Sequence, residues 1–212
     1  MKTIYKMART ELQTLFYSPI AWLILVVFTF QASLVFSNGL ASCVRNQELG
    51  YGLYNVTMNV FAGWRGIFTA MQQYLYLYIP LLTMGLMSRE LSSGSIKLLY
   101  SSPVTNTQII LGKYLSMMIY NLVLMCVFAV YLIFAAITIK SADIPLILSG
   151  MLGLYLLVCA YAAIGLFMSS ITSYQVVAAM GTLAVLAVLN LVGGLWQDIE
   201  FVRDITYWLA IN

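Results

Sequence analysis

The side chains of this 212-residue chain that could take part in chemistry are few, and one polar stretch between two apolar runs gathers several of them. The stretch spans residues 87–113, reads MSRELSSGSIKLLYSSPVTNTQIILGK, and carries Arg89, Glu90, Lys97 and Lys113. Histidine is absent and the whole chain has seven carboxylates, which removes most routes to metal binding or acid–base catalysis. The chemistry that this stretch offers is therefore binding through charges and hydrogen bonds.

Composition indicates a polytopic membrane protein. Apolar residues make up 62% of the chain and charged residues 8%, and the mean hydropathy is +0.93. A soluble domain has about a quarter charged residues. The net charge of +3 is too small, and the basic residues are too scattered, to predict nucleic-acid binding. The three cysteines have no spacing that predicts a disulfide framework.

Several apolar runs are long enough to be predicted as membrane-spanning helices. Before them, residues 1–17 alternate apolar and basic positions, which predicts an amphipathic helix in the membrane interface; a short solvated tail is the alternative. The glycine-rich segment Asn38–Gly66 is predicted to be a loop with room for a re-entrant or interfacial element. The five predicted spans are Ile20–Phe36, Ile67–Met87, Tyr114–Ile139, Leu146–Met168 and Tyr174–Leu195.

These elements predict an all-α fold: a polytopic membrane helical bundle of about five transmembrane helices, forming a single transmembrane domain over residues 1–212. The interfacial helix occupies residues 1–19, and the polar stretch forms a loop over residues 88–113. With five spans, the N-terminus and this loop lie on the same side. That side holds six of the ten basic residues, and basic residues mark the cytoplasmic side.

The polar stretch itself is predicted to contain two helical segments. Arg89–Tyr100 has the pattern of a short amphipathic helix, and Ser102-Pro103 predicts the start of a second helix that leads into the third span. A short helix parallel to the membrane suits docking in the groove of a partner protein. An interfacial re-entry that only stabilises the bundle fits the same residues equally well.

The order of residues in this stretch resembles the cytoplasmic loop of type-2 ABC exporter permeases. In that family a glutamate is followed by Gly-Thr or Gly-Ser, a Leu-Leu pair, Ser-Pro-Val/Ile-Ser/Thr and Leu-Gly-Lys. The opening segment, residues 9–21, also resembles the gliding-motility-associated branch of these permeases. The matching loop residues here are Glu90, Gly94-Ser95, Leu98-Leu99, Ser102-Pro103-Val104-Thr105 and Leu111-Gly112-Lys113.

The resemblance implies a permease subunit of an ATP-driven exporter in the bacterial cytoplasmic membrane, with a cytoplasmic N-terminus. Its partners would be a cytoplasmic ABC ATPase, a second permease half (the same chain or a sister) and membrane lipids. This chain would hold no cofactor and be no enzyme, because ATP would be bound by the ATPase. Family members usually have six spans, and this chain is expected to end before the sixth. The implied coupling helix gives these ATPase-docking positions: Glu90, Gly94, Ser95, Lys97, Leu98, Leu99 and Pro103.

Other functional classes fit the residues less well. The predicted spans contain no ionisable Asp, Glu, Lys, Arg or His side chain, which disfavours a proton-coupled transporter. A membrane-embedded lipid enzyme would need polar catalytic groups at membrane depth, where Gln31 and Asn190 are nearly all that the chain offers. The chain lacks the G-x-x-x-x-G-K-S/T phosphate loop of an ATPase. A non-transporting scaffold that anchors an ATPase stays open as the alternative.

Overall fold

The structure, a computed structural model, describes residues 2–49, 57–63, 66–97, 104–138 and 143–196. Within these ranges the chain forms helices and no strand, which confirms the predicted all-α class. A π-helical turn at Met58–Ala62 lies between the second and third α-helices. The α-helices in chain order are α1 (Lys2–Tyr17), α2 (Pro19–Glu48), α3 (Ile67–Thr83), α4 (Ser88–Ser93), α5 (Asn106–Thr138), α6 (Ile144–Ile171) and α7 (Gln175–Trp196).

The long helices confirm a membrane bundle. Helices α2, α5 and α6 are long and apolar enough, by length and composition, to cross a membrane. Helix α3 is shorter, at 17 residues, and the apolar part of α7 covers Gln175–Leu191. Both pack against α6 and against each other. The remaining helices, α1 and α4, are the two elements that the sequence predicts outside the spans.

Three predicted boundaries differ from the observed helix ends. Helix α2 continues to Glu48, so residues 38–48 are helical rather than part of a loop. Its 30 residues extend about 45 Å, beyond the ~30 Å hydrocarbon core, because hydropathy marks the end of the membrane and not the end of the helix. Helix α3 ends at Thr83 rather than Met87, and α5 begins at Asn106 rather than Ser102-Pro103.

The core of the bundle combines aromatic packing with hydrogen bonds to backbone carbonyls. The ring of Phe128 on α5 stacks on Phe68 of α3, with centroids 5.6 Å apart. The buried Tyr120 hydroxyl donates to the Ala21 carbonyl at 2.7 Å, and the Tyr78 hydroxyl donates to Gln31. Buried polar groups in a bilayer must find such partners inside the protein, so these bonds fix how α2, α3 and α5 face one another.

Small residues on α6 set its distance from α3. A Cβ added at Gly165 would lie 2.7 Å from the Cβ of buried Thr83, so the two helices meet where Gly165 has no side chain. Gly153, on the same helix, has nothing within 4 Å of the corresponding position. Lipid gives no hydrophobic drive for helix association, and close backbone approach supplies packing energy instead.

The two glycines give a matched test of this contact. We expect Gly165→Ala to destabilise the bundle by roughly 1–3 kcal/mol through overpacking against Thr83. Gly153→Ala should be neutral or stabilise by up to about 1 kcal/mol, because it gains helix propensity without a clash. Thermal unfolding of the detergent-solubilised variants measures both. Equal stability of the two variants would contradict the close α3–α6 contact.

Candidate functional site

The polar stretch begins with a turn that a single serine on α6 holds in place. The Ser169 hydroxyl accepts hydrogen bonds from the backbone N–H groups of Met87 at 3.0 Å and Ser88 at 3.1 Å. It donates to the Met84 carbonyl at 2.9 Å. These groups lie at the end of α3 and the start of α4, where helix termini leave backbone partners unsatisfied. Ser169 therefore fixes where α4 leaves the bundle.

Gly94 interrupts the predicted helix Arg89–Tyr100: α4 ends at Ser93, residues 96 and 97 are again helical, and residues 98–100 lie outside the described residues. Gly94 has φ +72°, the left-handed conformation that glycine adopts at helix C-termini. Its N–H donates to the Leu91 carbonyl at 3.4 Å, and the Lys97 N–H donates to the Gly94 carbonyl at 3.1 Å. The hydroxyls of Ser93 and Ser95 are 2.7 Å apart. Gly94 and Ser95 thus shape the backbone of this segment.

A buried ion-pair triad ties the segment to two other helices. The Lys113 Nζ of α5 lies 2.6 Å from Glu11 Oε1 of α1 and 2.7 Å from Glu90 Oε1 of α4. The Lys113 side chain is 2% exposed, and those of Glu11 and Glu90 are 23% and 21% exposed. A buried ammonium requires such pairing because desolvation of a lone charge costs several kcal/mol. The Glu11–Lys113–Glu90 triad therefore joins α1, α4 and α5 at one point.

The close packing of α1 on α5 brings the triad together. A Cβ at Gly112 would lie 2.9 Å from the Cβ of Met7, and Ala8 is buried at the same contact. Glu11 stands one helical turn after Met7 and Ala8, on the same face of α1. Because Gly112 has no side chain, α1 lies close to α5 at this point, and Glu11 reaches the ammonium of the following residue, Lys113.

The triad contains two carboxylates and one ammonium, so it has one excess negative charge if all three groups are ionised. Among the described residues, Glu90 Oε2 is buried and has no hydrogen-bond partner. Glu90 also lines a groove of about 210 Å³ with Asn106 and Ser170. The apolar side chains of this groove are those of Met87, Leu91, Ile96, Ile109 and Ile110. The groove is therefore lined mainly by apolar side chains.

Helix α5 begins at Asn106 with a capping arrangement, and Ser102-Pro103, the predicted start, lies outside the described residues. The Thr105 Oγ1 accepts from the Gln108 N–H, and the Gln108 Oε1 accepts from the Thr105 N–H, both at 3.4 Å. This reciprocal pair is the capping box of a threonine followed three residues later by glutamine. Residues 104 and 105 are not helical. The cap therefore sets the helix start after the proline, and α5 enters the bundle from Asn106.

The structure describes four of the seven predicted docking residues and places them in different surroundings. Glu90 turns inward to Lys113, whereas Lys97 is exposed. Gly94 and Ser95 form the turn that follows α4. Leu98, Leu99 and Pro103 lie outside the described residues.

The triad partner Glu11 was not predicted as a site residue. Glu11 could have been suspected because a chain with only 8% charged residues has few carboxylates that can pair with Lys113. No spacing along the sequence relates the two residues.

The long apolar helices define a multi-pass helical membrane protein, whose polar segment is held against the bundle by the ion pair of Glu90 with Lys113. The chain matches the ABC-2 family transporter proteins over residues 5–199 and belongs to that family. This confirms the resemblance to type-2 ABC permeases and gives the chain a transporter permease role. The gliding-motility-associated branch stays a prediction. No curated protein and no solved structure matches the chain.

The triad predicts an unequal response of two lysines in the same segment. Lys113→Met should lower the free energy of unfolding by about 3 kcal/mol, because it leaves two largely buried carboxylates without their cation. Lys97→Met removes an exposed cation and should change it by less than about 0.5 kcal/mol. Chemical denaturation of the purified variants in mild detergent measures the difference. Equal stability of the two variants would show that the triad contributes nothing.

Proposed function

We propose that this chain is the permease subunit of an ATP-driven exporter, in which the segment from α4 to the start of α5 binds a cytoplasmic ABC ATPase. The observation that supports this most is the Glu11–Lys113–Glu90 triad. A docking segment transmits motion only if it is rigidly joined to the helices that must move. The triad joins α4 both to α1 and to the long helix α5.

The docking surface that we propose has an outward part and an inward part. Arg89 and Lys97 are exposed on α4 and after it, and Lys97 is the direct contact that we expect from the predicted set, with Leu98, Leu99 and Pro103. Glu90 acts as a positioning residue, because its Oε1 pairs with the Lys113 ammonium and its Oε2 is buried. Gly94 and Ser95 set the path of the backbone between the two parts.

Transport requires the ATPase to bind this surface differently in its open and closed states, because a partner shifts a conformational equilibrium only through such a difference. Movement of α4 would then reach α1 and α5 together through Lys113. The chain has no phosphate-binding loop of its own, so ATP would be bound by the partner. The basic residues near the triad, among them Lys6, Arg9 and Arg89, favour the cytoplasmic side of the inner membrane.

A polar face on α3 supports pairing with a second permease half. Thr69, Gln72, Gln73 and Tyr76 recur at helical spacing, and with Asn190 of α7 they line a groove of about 270 Å³. Gln72, Gln73 and Asn190 are exposed, and Gln72 also forms a side-chain hydrogen bond with Tyr161 of α6. Lipid tails cannot satisfy exposed amides. An amide is both donor and acceptor, so this face is complementary to itself, which a two-fold contact between copies requires.

One co-purification tests both partners. Two copies of the chain with different tags are expressed in the source cell and purified through one tag in mild detergent. We expect the second tag and an ABC ATPase chain with a phosphate loop to be recovered. Lys97→Glu with Leu98→Asp should reduce the ATPase at least about tenfold, the factor for 1.4 kcal/mol of lost binding, and should leave the second tag.

The matched controls separate the two contacts. Arg45→Glu makes the same charge reversal as Lys97→Glu, on the side predicted to be external, and should retain both partners. Gln72→Leu with Gln73→Leu should lose the second tag at the first purification step, because it removes the self-complementary amides. Absence of an ATPase from the folded wild-type sample, or equal ATPase recovery with Lys97→Glu and Leu98→Asp, would contradict the proposed function.

A further inference from the structure

The corner between α1 and α2 forms an open groove that the exporter proposal does not use. Its volume is about 640 Å³, and it lies where the interfacial helix turns into the first spanning helix at Ser18. The lining combines polar and aromatic side chains: Arg9, Leu12, Gln13, Phe16, Tyr17 and Trp22.

Contacts within the corner hold one wall of the groove in place. The Ser18 N–H donates to the Leu15 carbonyl at 3.0 Å, and the Trp22 indole N–H donates to the Phe16 carbonyl at 2.7 Å. The ring centroid of Phe16 lies 6.0 Å from that of Trp22 and 5.8 Å from that of Tyr120. The aromatic wall is therefore preorganised, and the indole N–H is already satisfied.

The other wall presents hydrogen-bond donors on one face of α1. Arg9, Gln13 and Tyr17 recur every four residues, a spacing that puts them on one side of a helix. All three are exposed, Tyr17 to 87%. Within the described part of the chain, the Arg9 guanidinium forms no salt bridge, since both salt bridges there belong to Lys113. No carboxylate lines the groove, so its positive charge is not neutralised.

The position of the groove indicates the source of its ligand. Tyrosine and tryptophan side chains at the end of a spanning helix lie at the level of the lipid headgroups. A guanidinium fork matches the oxygens of a phosphate group, and Leu12, Phe16 and Trp22 offer an apolar surface beside it. A free phosphate ion would leave that apolar wall unused, and the guanidinium would repel the ammonium of a zwitterionic headgroup.

We propose that this groove binds an anionic phospholipid, with the phosphate on Arg9 and Gln13 and an acyl chain along Trp22. The site would anchor α1 to the leaflet on which it lies. Because α1 carries Glu11 of the triad, the bound lipid would set the position of the helix to which the docking segment is tied. The lipid site and the ATPase contact use different residues, so either proposal can fail without the other.

Tryptophan quenching by brominated lipids tests this site in the full chain. The protein is placed in phosphatidylcholine bilayers with the same mole fraction of brominated phosphatidylglycerol or brominated phosphatidylcholine. The chain has four tryptophans, so the Trp22 signal is the difference between wild type and Trp22→Phe. We expect the anionic lipid to be preferred at Trp22 by about fivefold, the factor of about 1 kcal/mol that one basic residue near an anionic surface contributes.

One arginine variant and one lysine variant show which residue causes the preference for the anionic lipid. Arg9→Gln should abolish the preference, whereas Lys6→Gln, the same charge change on α1 outside the groove, should retain it. Arg9 is exposed, and an unchanged circular dichroism spectrum shows that its variant is folded. An equal loss in both variants would indicate surface charge alone and overturn the site. No preference in the wild type, or displacement of the lipid by inorganic phosphate, would overturn it as well.

Discussion

The arrangement of the cytoplasm-facing elements proposed here depends on one buried ammonium. Lys113 is nearly inaccessible, and its charge is stabilised by carboxylates from two other helices. Burying a charge without partners is costly, so the pairing of Lys113 with both carboxylates favours the close approach of α1 and α4 to α5. The same constraint that stabilises the fold therefore joins these three helices at one point.

Within the bundle, hydrogen bonding and close packing replace the hydrophobic effect as the determinants of helix arrangement. Tyrosine hydroxyls bond to backbone carbonyls of neighbouring helices, as Tyr120 does to Ala21 and Tyr76 to Leu183 at 3.1 Å. Gly165 and Gly112 allow close helix approach. The polar groups that the bundle does not satisfy are therefore informative. Among the described residues, Glu90 Oε2 and the buried amide of Asn121 have no hydrogen-bond partner. The exposed polar groups on the outer face of α3 and around Arg9 each support a proposed contact.

The sequence predicts the class of fold well, because apolar runs of membrane length leave few alternatives. It predicts the boundaries less well. Hydropathy ends near Phe36 while the backbone of α2 continues to form helical hydrogen bonds to Glu48. Ser102-Pro103 is a strong start signal, but the reciprocal cap of Thr105 and Gln108 determines the observed start of α5. At the start of α5, the hydrogen bonds between Thr105 and Gln108 therefore decide where the helix begins, and the serine–proline pattern does not.

The candidate site shows the same division between local and distant information. Gly94 is recognisable from its motif, and its left-handed conformation explains why glycine stands there. The pairing of Lys113 with Glu11 joins positions 102 residues apart, and no periodicity along the chain relates them. Glu90 was predicted as a residue that faces a partner, yet its Oε1 faces inward. Both ion pairs depend on the way α1 and α4 pack around Lys113, which only the three-dimensional structure shows.

Hydrogen exchange measured by mass spectrometry tests the central claim, that Lys113 joins α1, α4 and α5 into one unit. In Lys113→Met, we expect faster exchange in α4 and in α1 than in the wild type, since local stability falls where tertiary contacts are lost. Exchange in the α6 segment around Gly153, remote from the triad, should be unchanged. Unaltered exchange in both α1 and α4 of the folded variant would contradict the claim.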